Sequence, residues 1–307
     1  MRRFLPFIAL VSILLAACER PVDIDLDNLN SKLAVTSNFV PNEVVEVYVS
    51  KTRSILNNND PEYINNASVA LYRGDKFLEA LQLQGGDDRF PPRYITQNVK
   101  PVVNTLYTIK VEAPGFASVQ AVSEIPSPAK IRFLNISEVR KFDLPDQKVY
   151  SYKVGLVFED PANVVNFYHL NFYQQIWNYE IEEGDTVITG NWLRNIEFSS
   201  ENDNNSLIAY FDGGVLFDDT AFDGKIVPFS FTLTTFIEPD KHILGKMFTE
   251  LRTVSKDYYL FHNSLSRQQT SPGGPLSEPV IIYNNVENGR GIFAGYNPVV
   301  DSVAIFK

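Results

Sequence analysis

Tyr107-Thr108-Ile109-Lys110-Val111-Glu112 is the stretch that decides the fold. Apolar and polar residues alternate through it without a break, and in an extended chain that period sets Tyr107, Ile109 and Val111 on one face for burial. Ala113-Pro114-Gly115-Phe116 then turns the chain, with proline fixing one φ and glycine free to take a positive one. Similar short runs surround it at 32–40, 44–52, 67–72, 77–84, 93–97 and 117–124, with Arg73-Gly74-Asp75-Lys76 as a hairpin connection. Seven strands at this spacing predict an immunoglobulin-like sandwich over 32–125.

Ile125-Pro126-Ser127-Pro128-Ala129 marks a boundary, because its two prolines can neither continue a helix nor donate to an interior ladder. Beyond it, 130–307 is expected to form a second body. Strands are predicted at 131–142, 149–158 and 164–179, the second placing Tyr150, Tyr152, Val154, Leu156 and Phe158 on one face. Phe229, Phe231, Leu233, Thr235 and Ile237 alternate again. Val254, Tyr258, Phe261 and Leu265 recur at helical spacing, with Ser255 as N-cap and Asp257 in the first turn. One helix of about fourteen residues is predicted there, near 254–269. Strands at 280–283, 291–296 and 299–306 close the chain. The fold class is mainly β: an N-terminal immunoglobulin-like sandwich followed by a β-barrel-like or sandwich domain carrying one packed α-helix.

The N-terminus speaks of location. Arg2 and Arg3 precede a short apolar run that leads through Leu14-Leu15-Ala16-Ala17 into Cys18, the sole cysteine in the sequence. That order fits a lipoprotein signal peptide over 1–17, cleaved to expose a lipidated Cys18 on a tether over 18–31. The run falls short of the roughly 20 apolar residues a permanent span needs. Acyl chains on Cys18 would hold the protein to the membrane without one. With no second cysteine, a disulfide framework is excluded. Losing Arg2 and Arg3 takes the net charge from −10 to −12. A chain this acidic, without a basic stripe, is not expected to bind nucleic acid.

Chemistry is sparse. His169, His242 and His262 lie far apart, and the sequence contains no nucleophile elbow, zinc-binding helix or phosphate loop. No catalytic residue and no cofactor is expected. Asp212, Asp218, Asp219 and Asp223 gather hard oxygen ligands that could hold calcium, although their order does not match an EF-hand. Between 179 and 227 lie polar runs interleaved with Trp192, Phe198, Tyr210, Phe211, Phe217 and Phe222. Trp192, Phe217 and Phe222, rimmed by Asp218 and Asp219, are the candidate centre of a partner interface. The competing reading makes these aromatics core residues of unseparated strands.

Several stretches together resemble a known family. They are the lipobox, Lys32-Leu33-Ala34-Val35, Phe158-Glu159-Asp160-Pro161, Phe222-Asp223-Gly224-Lys225, Val254-Ser255-Lys256-Asp257-Tyr258-Tyr259-Leu260-Phe261 and the run from Ser277 to Tyr296. The chain is similar to the lipoprotein family of Bacteroidota termed domain of unknown function 4249, although it has Asn284-Asn285-Val286 where the family has Ser-Asn-Ile. The resemblance implies an outer-membrane lipoprotein, facing the periplasm or the cell surface, that accompanies a TonB-dependent receptor in nutrient uptake as a non-catalytic accessory or binding module. The alternatives are a surface hydrolase whose carboxylates meet only in the fold, and a structural or adhesive envelope protein.

Overall fold

A computed structural model describes residues 31–53, 60–86, 90–200, 208–209, 213–271 and 280–306. Tyr107–Glu112 is paired on both sides, and Tyr107, Ile109 and Val111 are buried as the alternation requires. In chain order the first strands are β1 (Leu33–Phe39), β2 (Glu46–Lys51), β3 (Ser68–Arg73), β4 (Lys76–Ala80), β5 (Gln82–Gln84), β6 (Arg93–Ile95), β7 (Leu106–Glu112) and β8 (Val119–Glu124). Gly74 and Gly115 take positive φ in the two turns read from sequence. The sheet β4-β3-β7-β8 packs over β1, β2 and their neighbours, closing a core that includes Val35, Phe39, Val47, Leu71, Ile109 and Phe293.

The second half contributes β9 (Lys130–Asp143), β10 (Lys148–Glu159), β11 (Phe167–Glu182), β12 (Asp185–Asn195), β13 (Glu197–Ser200), β14 (Ile208–Ala209), β15 (Gly214–Asp218), β16 (Ile226–Ile237), β17 (His242–Val254), the helix α1 (Lys256–Thr270) and β18 (Arg290–Ala304). The sheet β13-β16-β10-β9 faces a ten-stranded sheet that runs β14-β15-β11-β17-β18-β1-β2-β6-β5, with β12 also paired to β11. Between these layers Phe158 touches Tyr168, Phe217, Phe222 and Phe229 with ring centroids 5.2–6.1 Å apart. No sheet closes into a barrel among the described residues, so the second body is a sandwich.

β18 ties the two sandwiches together. Its first residues run parallel to β1, from Arg290 beside Ala34 to Gly295 beside Phe39. Its later residues run antiparallel to β17, from Tyr296 beside Val254 to Ala304 beside Lys246. The two closing strands expected at 291–296 and 299–306 are therefore one. Pro298 is accommodated because the pairing with β1 ends at Gly295, opposite Phe39, leaving that edge of β18 without a strand to receive a donated bond among the described residues.

Three further expectations are corrected. The segment 280–283 is not a strand. Instead the Tyr283 N–H donates to Ser264 Oγ and its hydroxyl donates to Asp257 Oδ1, so it lies along the helix. The helix is capped as expected, with Ser255 Oγ accepting from the Tyr258 N–H, but its buried face is Tyr258, Tyr259, His262 and Ser266, while Phe261 and Leu265 are half-buried flanks. The 179–227 stretch is largely strand, since it holds β12 to β15.

Candidate functional site

Two of the segments quoted for the family resemblance converge at one end of the second sandwich. Asp160 follows β10, and Asp223 lies in the turn after β15. The Asp160 N–H donates to Lys225 O at 3.0 Å, and the Gly224 N–H donates to Asp160 Oδ2 at 2.8 Å. Gly224 takes a φ of 69°, and a Cβ there would lie 2.6 Å from that of Ala162, so only glycine lets the two turns approach this closely. Phe158 and Phe222, which open the two segments, meet edge to face beneath.

Around this junction one carboxylate oxygen from each of Asp160, Asp219 and Asp223 lies within 4.8 Å of the others. The structure thus brings together two of the sequence-derived calcium candidates, Asp219 and Asp223, and adds Asp160. Asp218 caps its own turn by accepting from the Thr220 N–H at 3.0 Å, and Asp212 lies outside the described residues.

Donors already surround the trio. Asp160 Oδ1 accepts from the buried Tyr168 hydroxyl and from Asn166 Nδ2, Asp219 Oδ2 accepts from the Asn166 N–H at 2.6 Å, and Asp223 Oδ1 accepts from the Asn163 N–H at 2.8 Å. Burial pushes the Asp219 carboxyl upward and the neighbouring Asp160 charge adds to this, while the Asn166 N–H pulls the other way. Burial, followed by the bond to Asp160, raises the Tyr168 phenol. Calcium takes six to eight oxygens at about 2.3–2.6 Å. The three carboxylates could supply part of such a shell, but they already accept from backbone donors and tie the two turns together.

A second polar cluster lies under α1. His169 Nδ1 is 2.9 Å from the Tyr258 hydroxyl, which also accepts from Arg252 Nη1 at 3.2 Å. Arg252 Nη2 donates to Glu250 Oε2 at 2.7 Å, and that oxygen accepts from the Tyr173 hydroxyl at 3.0 Å. His169 and His262, read separately in the sequence, stack with ring centroids 6.5 Å apart. Burial holds His169 well below the usual histidine range and takes His262 down to about 4, with Arg252 adding to both. Burial works against the Arg252 charge, but Glu250 keeps its guanidinium firmly protonated. The signal for this cluster was the polar residue at helix position 262, one turn after Tyr258, where hydrophobic spacing alone looked to Phe261.

The candidate interface residues separate. Phe217 and Phe222 are core residues and Asp219 is buried, so they cannot anchor a partner. Phe198 packs against the same core, and Tyr210 and Phe211 lie outside the described residues. Trp192 is 39% exposed on β12, stacked by the Arg194 guanidinium at 4.9 Å.

No curated protein matches the chain. Among solved structures, the three N-terminal domains of the bacteriophage RB49 highly immunogenic outer capsid protein (Hoc) are similar at 14% identity and a TM-score of 0.22, over 74% of this chain and 64% of that one, a likeness too loose to carry an argument. The family model described as Domain of unknown function (DUF4249) matches residues 19–301, which include both turns of the acidic junction and all of α1. This chain belongs to that family.

Proposed function

We propose that this protein is an outer-membrane lipoprotein, anchored through acyl chains on Cys18, that works as a non-catalytic accessory or binding module beside a TonB-dependent receptor in nutrient uptake. The observation that carries this reading is Leu14-Leu15-Ala16-Ala17-Cys18, with the chain's sole cysteine at the point of cleavage. Architecture supports it. The described chain begins beside β1, and the strand path through β18 and then β11 runs away from that point. At roughly 3.3 Å per residue, the strand path from the start of β1 to the far end of β11 is about 70 Å in contour. A tethered body of this length can meet a partner well clear of the bilayer.

Both polar clusters favour a supporting role over a chemical one, because their groups are committed to one another and to backbone donors. The test is to extract the tagged protein from native outer membranes after brief cross-linking. Recovery of one β-barrel receptor in stoichiometric amount is expected. Recovery of the protein alone, with unchanged growth of a deletion strain on every nutrient whose uptake needs such a receptor, would overturn the reading.

A further inference from the structure

A groove of about 410 Å³ opens on the outer face of β1 and β2, within the size range of small-molecule sites. β1 turns Val35, Ser37 and Phe39 into the first core, so Thr36 and Asn38 face outward. Thr36 pairs with Tyr48, and directly paired residues share a face, so Tyr48 and, two residues before it, Glu46 join the same floor. Tyr296 of β18 closes one wall and packs on Tyr258 of α1 with ring centroids 5.6 Å apart. Glu43, in the connection from β1 to β2, stands at the lip. That lip is fixed, because the Asn42 N–H donates to Pro101 O at 2.9 Å and the Val45 N–H donates to Thr96 Oγ1 at 2.9 Å. The groove is formed before anything enters it, which spares a ligand the cost of ordering it.

Its polar groups differ from those of the acidic junction and the α1 seam in being uncommitted. The side chains of Thr36, Asn38 and Glu43 make no hydrogen bond or ion pair among the described residues. Burial raises the Tyr48 phenol and Glu46 adds to this. Burial also raises Tyr296, with Arg252 opposing and Glu250 and Glu43 adding, so both rings keep an O–H to donate. Charge around the groove is nearly balanced: Arg93 pairs with Glu46 at 3.2 Å, and the Arg252 guanidinium, bonded to Glu250, lies 4.9 Å from the Tyr296 ring centroid. A cationic ligand would meet these two guanidinium groups, and an anionic one would meet Glu43 and Glu46. An uncharged molecule rich in hydroxyl groups meets neither cost. Each hydroxyl donates to a carboxylate or amide oxygen and accepts from an amide or phenol donor, while tyrosine rings cover apolar C–H faces.

We infer that this groove binds an uncharged saccharide, with Tyr48 and Tyr296 packing on its C–H faces and Thr36, Asn38 and Glu43 bonding its hydroxyls. The inference deepens the binding-module reading and rests on it for the ligand's part in uptake, and it adds the site and the ligand's chemistry.

The experiment is isothermal titration of the full-length lipidated protein, held in a detergent without sugar groups, against malto-, cello-, xylo-, manno- and galacto-oligosaccharides. At least one of these series is expected to bind. Tyr48→Ala should weaken that binding roughly tenfold, as expected for the loss of one aromatic contact. Asn38→Ala and Glu43→Gln change exposed residues and should weaken it several-fold with thermal midpoints unchanged. Phe133→Ala, which removes an exposed aromatic ring on the opposite sheet, should leave it as in wild type. No binding of any of the five series at millimolar concentration would overturn the inference and leave the accessory role standing, since receptor recovery is measured separately. Binding that survives all three groove substitutions, or that falls with Phe133→Ala instead, would overturn it as well. So would tighter binding of oligogalacturonate or spermidine than of every neutral series. Saccharide binding lost on the groove substitutions, in a protein that recovers no receptor, would overturn the accessory role alone.

Discussion

Replacing His262 with Gln removes a group that can acquire charge in the seam between α1 and the sheet. The imidazole is 8% exposed, faces His169, Tyr258 and Phe261, and has the Arg252 guanidinium nearby. Folding therefore favours its neutral form, taking it from the ordinary 6.5 to about 4. A depressed histidine contributes its full stability above the unfolded value of 6.5. That stability is lost progressively as pH falls from there toward 4, reaching about 3 kcal/mol on the low side. Between pH 7.5 and 5.5, above the sequence pI of about 4.9, the loss attributable to His262 should be about 1 kcal/mol. His169 is shifted in the same direction and remains in the variant, so the comparison isolates one ring. Urea unfolding followed by tryptophan fluorescence at the two pH values measures it. His262→Gln should lower stability at pH 7.5 yet lose about 1 kcal/mol less than wild type on acidification. Equal losses in both proteins would refute the reasoning, because they would mean that His262 charges within the fold without penalty.

The helix face gives a second expectation. Tyr258→Ala should cost about 3–5 kcal/mol, as for other emptied aromatic sites, whereas Phe261→Ala should cost clearly less because Phe261 is only half-buried. Equal melting temperatures for the two variants would show that the buried stripe has been misassigned. Gly291 offers a third. Its φ is 112° and a Cβ would collide with the Val35 carbonyl oxygen, where β1 and β18 run side by side. Gly291→Ala should destabilise by at least about 1–3 kcal/mol, read as a lowered thermal midpoint, and an unchanged midpoint would show that the strands can part there at no cost.

Much of this fold was legible because most strands bury one face. Val227 to Ile237 alternates outward and inward along the whole of β16, and Tyr150 to Phe158 does the same on β10. What escaped has physical causes. β17 mixes Gly245, Lys246 and Arg252 with apolar residues because its outer face carries the buried polar cluster and a bulge interrupts its pairing with β11, so no clean period survives. β12 is exposed along nearly its whole length, and its sequence offers no buried face to read. The continuity of β18 was hidden by Pro298, which reads as a break unless it is known that β1 has already ended.

The site was legible only in pieces. Asp219 and Asp223 stand out as acidic turn residues, but Asp160 lies some sixty positions away and joins them only in the fold, through the packing of Phe158 on Phe222 and the bonds of Asp160 to Gly224 and Lys225. The same packing removes Phe217 and Phe222 from the surface, which composition could not reveal. Asn285, between Asn284 and Val286, accepts the Phe293 N–H at 3.0 Å and donates to its carbonyl at 2.8 Å. That segment therefore fastens a loop onto β18.

The account stands or falls on the anchor, and the most direct measurement is where the protein goes when Cys18 is replaced by Ser. Outer membranes from cells making either form are washed in high salt and sedimented, and the protein is followed in pellet and supernatant. Wild type is expected in the pellet and Cys18→Ser in the supernatant or retained uncleaved with its leader, since under the proposed function acyl chains on Cys18 supply the attachment. A mature, leader-free Cys18→Ser protein that still sediments with washed outer membranes would contradict the account.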